Sequence, residues 1–200
     1  MDASQIASNR LIERYAAGQR NFERTDLNEA YLPGHQLAGI RLCLADVTSA
    51  NLSQARLDDA DLTGAMMWRV NLIRASCRGA KLHQAVMIRC DAADADFTDA
   101  CLHRADLRLA NLRAARFTGA DLRGAKLCYS NLREADFTGV TLTGVDLTGA
   151  DLTGATFTAM QMEAISKQDV IVETLLDSRW ASTDDTGEIA VASHLPVTVI

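Results

Sequence analysis

Every fifth residue from Phe22 to Met162 is apolar, 29 positions in a row, of which 18 are Leu and 5 are Phe. Those are all the phenylalanines the chain has. Two residues before each of these pegs the chain prefers a small residue; from Ala45 to Ala155 that slot holds Ala at 18 of 23 positions. The unit reads Ala-(Asp/Asn)-Leu-x-x, as in Ala60-Asp61-Leu62-Thr63-Gly64. A unit this short buries no face alone, so it must stack on its neighbours, and the chain is committed to a solenoid.

A second period sets the winding. Phe97, Phe117, Phe137 and Phe157 recur every 20 residues, as do Asn51, Asn71, Asp91, Asn111, Asn131 and Asp151 in the slot before the peg. Four pentads therefore make one turn. Such a coil brings equivalent residues into register at about 4.8 Å, where backbone groups pair between coils. Residues 22–162 then form about seven coils and a rod on the order of 34 Å long. Peg and Ala slots point inward, and the other three slots face solvent. The Asn/Asp column either forms an amide ladder or spaces its aspartates to limit repulsion.

These features resemble the pentapeptide-repeat family, and the resemblance implies a right-handed quadrilateral β-helix, an all-β solenoid, over residues 22–162. The stretch Glu13-Arg14-Tyr15-Ala16-Ala17-Gly18-Gln19-Arg20-Asn21-Phe22 is similar to the N-terminal cap of cyanobacterial members. The family implies a fold more firmly than an activity. Some members are DNA mimics that bind a type II topoisomerase through a strongly acidic rod.

The flanks read as covers for the open ends, where unpaired backbone invites aggregation. Residues 1–21 are expected to form an N-terminal helical cap. Its helix runs over 4–17, with Ile6, Leu11, Ile12 and Tyr15 on the buried side, Asp2 and Gln5 at capping-box spacing and Gly18 as the stop. Residues 163–180 are expected to form a short C-terminal α-helical cap, its helix spanning Asp169 to Trp180 with Val172, Leu175, Leu176 and Trp180 as its apolar side. Residues 181–200 form a tail whose docking the sequence leaves open. Pro33-Gly34, with His35 in an Ala slot, suggests locally distorted first coils.

Composition fits a single soluble domain: only 5% aromatic residues suit a narrow Leu/Ala interior. No apolar stretch reaches membrane-spanning length and no signal-peptide order is visible, so a cytoplasmic location is expected. Cys43, Cys77, Cys90, Cys101 and Cys128 are scattered and odd in number, against a disulfide framework or zinc cluster. His83 and His103 share an outward slot one coil apart, but Thr63 and Arg123 continue their column and supply no third ligand. No metal site or cofactor is expected.

Nor does the pattern suggest an enzyme. A filled rod with flat walls offers no concave, partly dry site, and the glycines fill the last slot of the pentad, where turns favour them. The repeat region carries 17 acidic and 15 basic residues, a net of −2. Asp91, Asp94, Asp96 and Asp99 crowd one coil, yet Arg104, Arg108, Arg113, Arg116, Arg123 and Arg133 follow. This mixed field weakens the mimic reading, and direct nucleic-acid binding has no motif behind it.

One cluster breaks the polar pattern of the outward slots. On the side with pegs Met67 and Met87, these slots hold Met66, Trp68, Val86 and Ile88, with Arg69 and Arg89 beside them, Leu109 and Tyr129 farther along and Ile73 around the corner. An apolar strip flanked by Arg fits a protein contact. The readings it leaves open are a foreign partner, self-association, a tail or helix folding over it, and no role at all. The chain is accordingly expected to be a non-enzymatic interaction scaffold, with topoisomerase binding by DNA mimicry as the alternative.

Overall fold

The computed structural model describes residues 3–161 and 198–199. From Asn21 onward each slot before a peg pairs in parallel with the residue twenty positions later, without interruption from Asn21↔Arg41 to Asp136↔Thr156. One coil shows the ladder. The amide of Leu62 donates to the carbonyl of Lys81 (2.7 Å), that of Gly64 to His83 (2.9 Å), and that of Lys81 back to Ala60 (2.8 Å). Each corner is closed locally, as by Ala65 N–H to the Leu62 carbonyl at 3.0 Å. In every pentad from Arg24 to Gly154 the last slot has a positive φ, the signature of a type II turn. Four corners per twenty residues make a four-sided parallel β-helix.

The slot before the peg has a local task as well. In fifteen pentads an Asp or Asn there accepts, through Oδ1, the backbone N–H two residues on, as Asp46 does for Thr48 at 2.9 Å. This Asx cap satisfies a corner N–H that the inter-coil ladder does not reach. An amide ladder exists over part of the column: Asn111 donates to Asp91 (2.9 Å) and Asn131 to Asn111 (3.1 Å).

Pegs and Ala slots form one continuous core. Ala beside each peg leaves room for Leu, and the column holding Phe97, Phe117, Phe137 and Phe157 stacks its rings 5.3, 5.2 and 4.9 Å apart. Cys77 and Cys90 are buried within this core. Burial holds both thiols protonated, pushing Cys90 up to about 12.

The helix α1, Ala3–Ala16, lies against the first coil. It ends at Gly18 (φ 93°), with Gly18 N–H bonded to Tyr15 O and Gln19 N–H to Arg14 O, a Schellman arrangement. Leu11 and Ser8 are buried, and Ala7, Ile12 and Tyr15 pack partly against the core. Ile6, expected on the buried side, is 47% exposed. It lies roughly 200° around the helix from Ser8, on the opposite face. The helix also meets the open edge through polar atoms: Ser8 Oγ accepts Tyr31 N–H (2.8 Å), and the Tyr15 hydroxyl donates to Ala38 O (2.8 Å). Asp2 lies outside the described residues.

The expected distortion at Pro33-Gly34 does not occur. Tyr31↔Asn51 and Gln36↔Arg56 pair regularly, and Gly34 takes the ordinary corner φ of 66°. Pro and Gly fill the two central positions of a type II turn, where fixed negative φ and free positive φ are what the geometry asks for.

At the far end Gln161 is buried and its Nε2 donates to the carbonyls of Phe137 (2.6 Å) and Val140 (2.9 Å). Strand β1, Thr156–Phe157, pairs in parallel with β2, Thr198–Val199, Thr198 opposite Thr156 and Val199 opposite Phe157. The helix expected over Asp169–Trp180 lies outside the described residues.

Candidate functional site: an apolar wall

Met67 and Met87 are fully buried pegs on one side of the rod. The slots before and after a peg on so short a strand face outward. This puts Met66, Trp68, Val86 and Ile88 on the wall, with Met66 paired to Val86 in adjacent coils. Met66 is 51% and Trp68 43% exposed, while Val86 and Ile88 are half-buried. Polar residues bound the four: Asp46 pairs below Met66 with Thr48 in the slot below Trp68, and Asp106 pairs above Val86. Arg108, in the slot above Ile88, holds both oxygens of Asp106 at 2.8 Å.

One corner runs the length of this wall. It carries Arg69, Arg89, Leu109, Tyr129 and Gly149, all with left-handed backbone. Leu109 and Tyr129 are exposed there, so they line the edge of the wall instead of extending its centre. The Tyr129 ring covers Gly149, where an added Cβ would come within 2.5 Å of it. Leu44 stands exposed at the opposite corner, its Cδ2 filling the space above Gly64. Sequence reasoning missed Leu44; its signal was a Leu in the corner slot. Ile73 is half-buried on the next side.

The wall is rich in hydrogen-bond donors. Met66 and Val86 replace the Asx cap, so the N–H groups of Trp68 and Ile88 have no acceptor among the described residues. Arg69 rests its guanidinium carbon 4.9 Å from the centroid of the Trp68 ring. Neither Arg69 nor Arg89 forms an ion pair among the described residues. Other arginines of the rod do so, including Arg78 with Asp96 (3.0 Å), Arg113 with Glu134 (2.7 Å) and Arg123 with Asp121 (2.6 Å).

Two other groupings were candidates. The rings of His83 and His103 lie 5.2 Å apart, tilted by 53°. Among the described residues no group of three or more His, Cys, Asp or Glu side chains is placed to hold a metal. In the acidic coil, Asp94 and Asp96 lie 3.8 and 3.0 Å from Arg74 and Arg78 of the coil below, and Asp91 accepts from Asn111. Arginines of the coil below thus meet two of the four carboxylates of that coil. No helix among the described residues is long and apolar enough to cross a membrane.

The family model described as pentapeptide repeats matches the chain in eight copies, over residues 44–76, 75–113 and 115–154. No curated protein matches. Among solved structures, trypsin-treated QnrB1, a plasmid-mediated fluoroquinolone resistance protein, is 19% identical over 77% of this chain and 89% of its own, with a TM-score of 0.51. That likeness is one of fold. HetL, a pentapeptide repeat protein involved in heterocyst differentiation regulation from the cyanobacterium Nostoc sp. strain PCC 7120, is 28% identical over 75% of this chain and 81% of its own, with a TM-score of 0.36.

Proposed function

We propose that this chain, which belongs to the pentapeptide-repeat family, is a non-enzymatic scaffold that binds another protein through the wall of Met66, Trp68, Val86 and Ile88, flanked by Arg69 and Arg89. Proteins of this family fold as right-handed quadrilateral β-helices, and here about seven coils with helical end caps would hold the wall rigid. The observation that carries the reading is an exposed apolar patch with Trp, Met and Arg on an otherwise polar rod, the composition of a contact centre. A preformed wall loses little conformational entropy on docking, so a small patch gives useful affinity. Five free cysteines suit a reducing, cytoplasmic setting. Mimicry of DNA toward a topoisomerase has less support, because Arg74 and Arg78 already meet the acidic coil.

The test compares proteins retained from a cell lysate by the wild-type rod and by Trp68→Ala, Ile88→Asp and the double variant Asp94→Asn/Asp96→Asn. A specific protein lost with the first two and kept with the third is the expected result, with circular dichroism and unfolding midpoints showing that every rod stays folded. A protein retained by Trp68→Ala and Ile88→Asp but lost with the third variant would transfer the function to the acidic coil.

A further inference from the structure

The wall also constrains what kind of segment it can receive; this inference rests on the wall being a binding face. Its backbone is largely spent on the neighbouring coils. The amides of Met66, Met67 and Arg69 donate to Ala45, Val86 and Ile88, and the carbonyls of Met66 and Trp68 accept from Val47 and Ser49. A partner strand therefore finds no continuous ladder to extend, and recognition falls to side chains. Along the rod axis the apolar pairs repeat at about 4.8 Å, and a helix laid along that axis repeats at about 5.4 Å. Over one step the mismatch is only about 0.6 Å, so a single helical stripe covers all four residues.

Charge fixes the chemistry of that helix on one side. The corner beside Trp68 and Ile88 presents Arg69 and Arg89, neither of them ion-paired among the described residues, while at the same two coils the opposite corner presents the uncharged Gly64 and Gln84, with Leu44 below and Arg104 above. Arg69 lies over the Trp68 ring, and its guanidinium forms no ion pair among the described residues. The amides of Trp68 and Ile88 add two donors where fifteen other pentads carry a carboxylate or amide oxygen in cis. Other pentads lack that cap as well, among them the ones at Lys81 and Cys101. Among the described residues this wall brings the gap together with exposed apolar side chains and two arginines that form no ion pair. We propose that the occupant is an amphipathic helix of a partner protein, lying along the rod, with a row of Asp or Glu beside its apolar stripe meeting Arg69 and Arg89.

A displayed library of unconstrained random peptides of about 18 residues, five helical turns, selected on the full chain, tests this. The expected binders carry apolar residues at helical spacing with Asp or Glu alongside, gain helical circular dichroism on binding and are lost with Trp68→Ala. Their affinity should fall about tenfold with the double variant Arg69→Glu/Arg89→Glu, and Lys in place of the peptide's acids should restore it. Binders that need Trp68 but are extended, uncharged or basic would overturn the acidic helix while leaving the wall as a binding face. Selection yielding only sequences indifferent to Trp68→Ala and Ile88→Asp, or none, would remove both.

Discussion

At the scale of single residues, the pentad has two demanding positions. The last slot requires left-handed backbone, yet Arg69, Leu109 and Tyr129 occupy it, at φ of 53°, 60° and 57°. Such a conformation costs a non-glycine residue about 1–2 kcal/mol, and it persists because the ladder bonds on either side over-determine each corner. The slot before the peg asks for Asp or Asn, and Met66 and Val86 break that rule where the apolar wall forms. Lys81 and Cys101 depart from it too, so what sets Met66 and Val86 apart is that their departure coincides with the apolar wall. Met66→Asp should supply the missing cap to Trp68 and raise stability by about 0.5–1.5 kcal/mol, read as a higher urea midpoint, while weakening binding at the wall. A variant that is both destabilised and fully competent to bind would contradict this account of the position.

At the scale of elements, α1 closes the first coil with specific hydrogen bonds as well as apolar packing. Ser8 takes the place of the carbonyl that a preceding coil would offer to Tyr31 N–H, and Tyr15 supplies the donor that Ala38 O would otherwise lack. Ser8→Ala should leave a buried amide without its acceptor and cost about 1–3 kcal/mol. Hydrogen exchange should locate the effect: the Tyr31 amide speeds up while amides near Leu102 and Leu122 do not. Equal acceleration along the rod would mean that the helix supports the fold by packing alone. The period of 3.6 pointed to Leu11, Ile12 and Tyr15, but nothing in that period marks a serine as buried. Its role exists only because an unpaired backbone edge lies opposite.

At the scale of the whole molecule, the carboxylates that cap corners tie stability to pH. The Asp121 carboxyl is held below its ordinary range chiefly by the Arg123 side chain, and that of Asp151 chiefly by the Thr153 hydroxyl. For Asp61 partial burial pushes upward, but hydrogen bonds from the side chain and backbone of Thr63 outweigh it. In each case the folded pKa lies below the unfolded value of about 3.9, so the stabilisation is complete above that value and is lost as pH falls through the folded one. The urea midpoint should stay level down to about pH 5 and decline below about pH 4, with a shallower decline in Asp121→Asn/Asp151→Asn. A midpoint that rises on acidification would show that repulsion among carboxylates dominates.

The sequence alone determined the coil. A period of five fixes which side chains point inward and a period of twenty fixes which residues stack, so the pairing of Met66 with Val86 and the columns of Trp68 with Ile88 and His83 with His103 followed from counting. Such contacts repeat, and a repeated contact leaves a repeated signal. The ends of the rod and the state of its charges were decided in three dimensions. The packing of Ser8 under Tyr31, the outward turn of Ile6 and the pairing of Thr198–Val199 with Thr156–Phe157 each occur once. Some arginines find an acid two residues away, as Arg123 does in Asp121, but others depend on neighbours eighteen or more residues away, as with Arg78 and Asp96 or Arg113 and Glu134, and on rotamers that no periodicity encodes. The wall's apolar members were therefore legible in the chain, whereas its free donors became visible only in the three-dimensional placement of the neighbouring carboxylates.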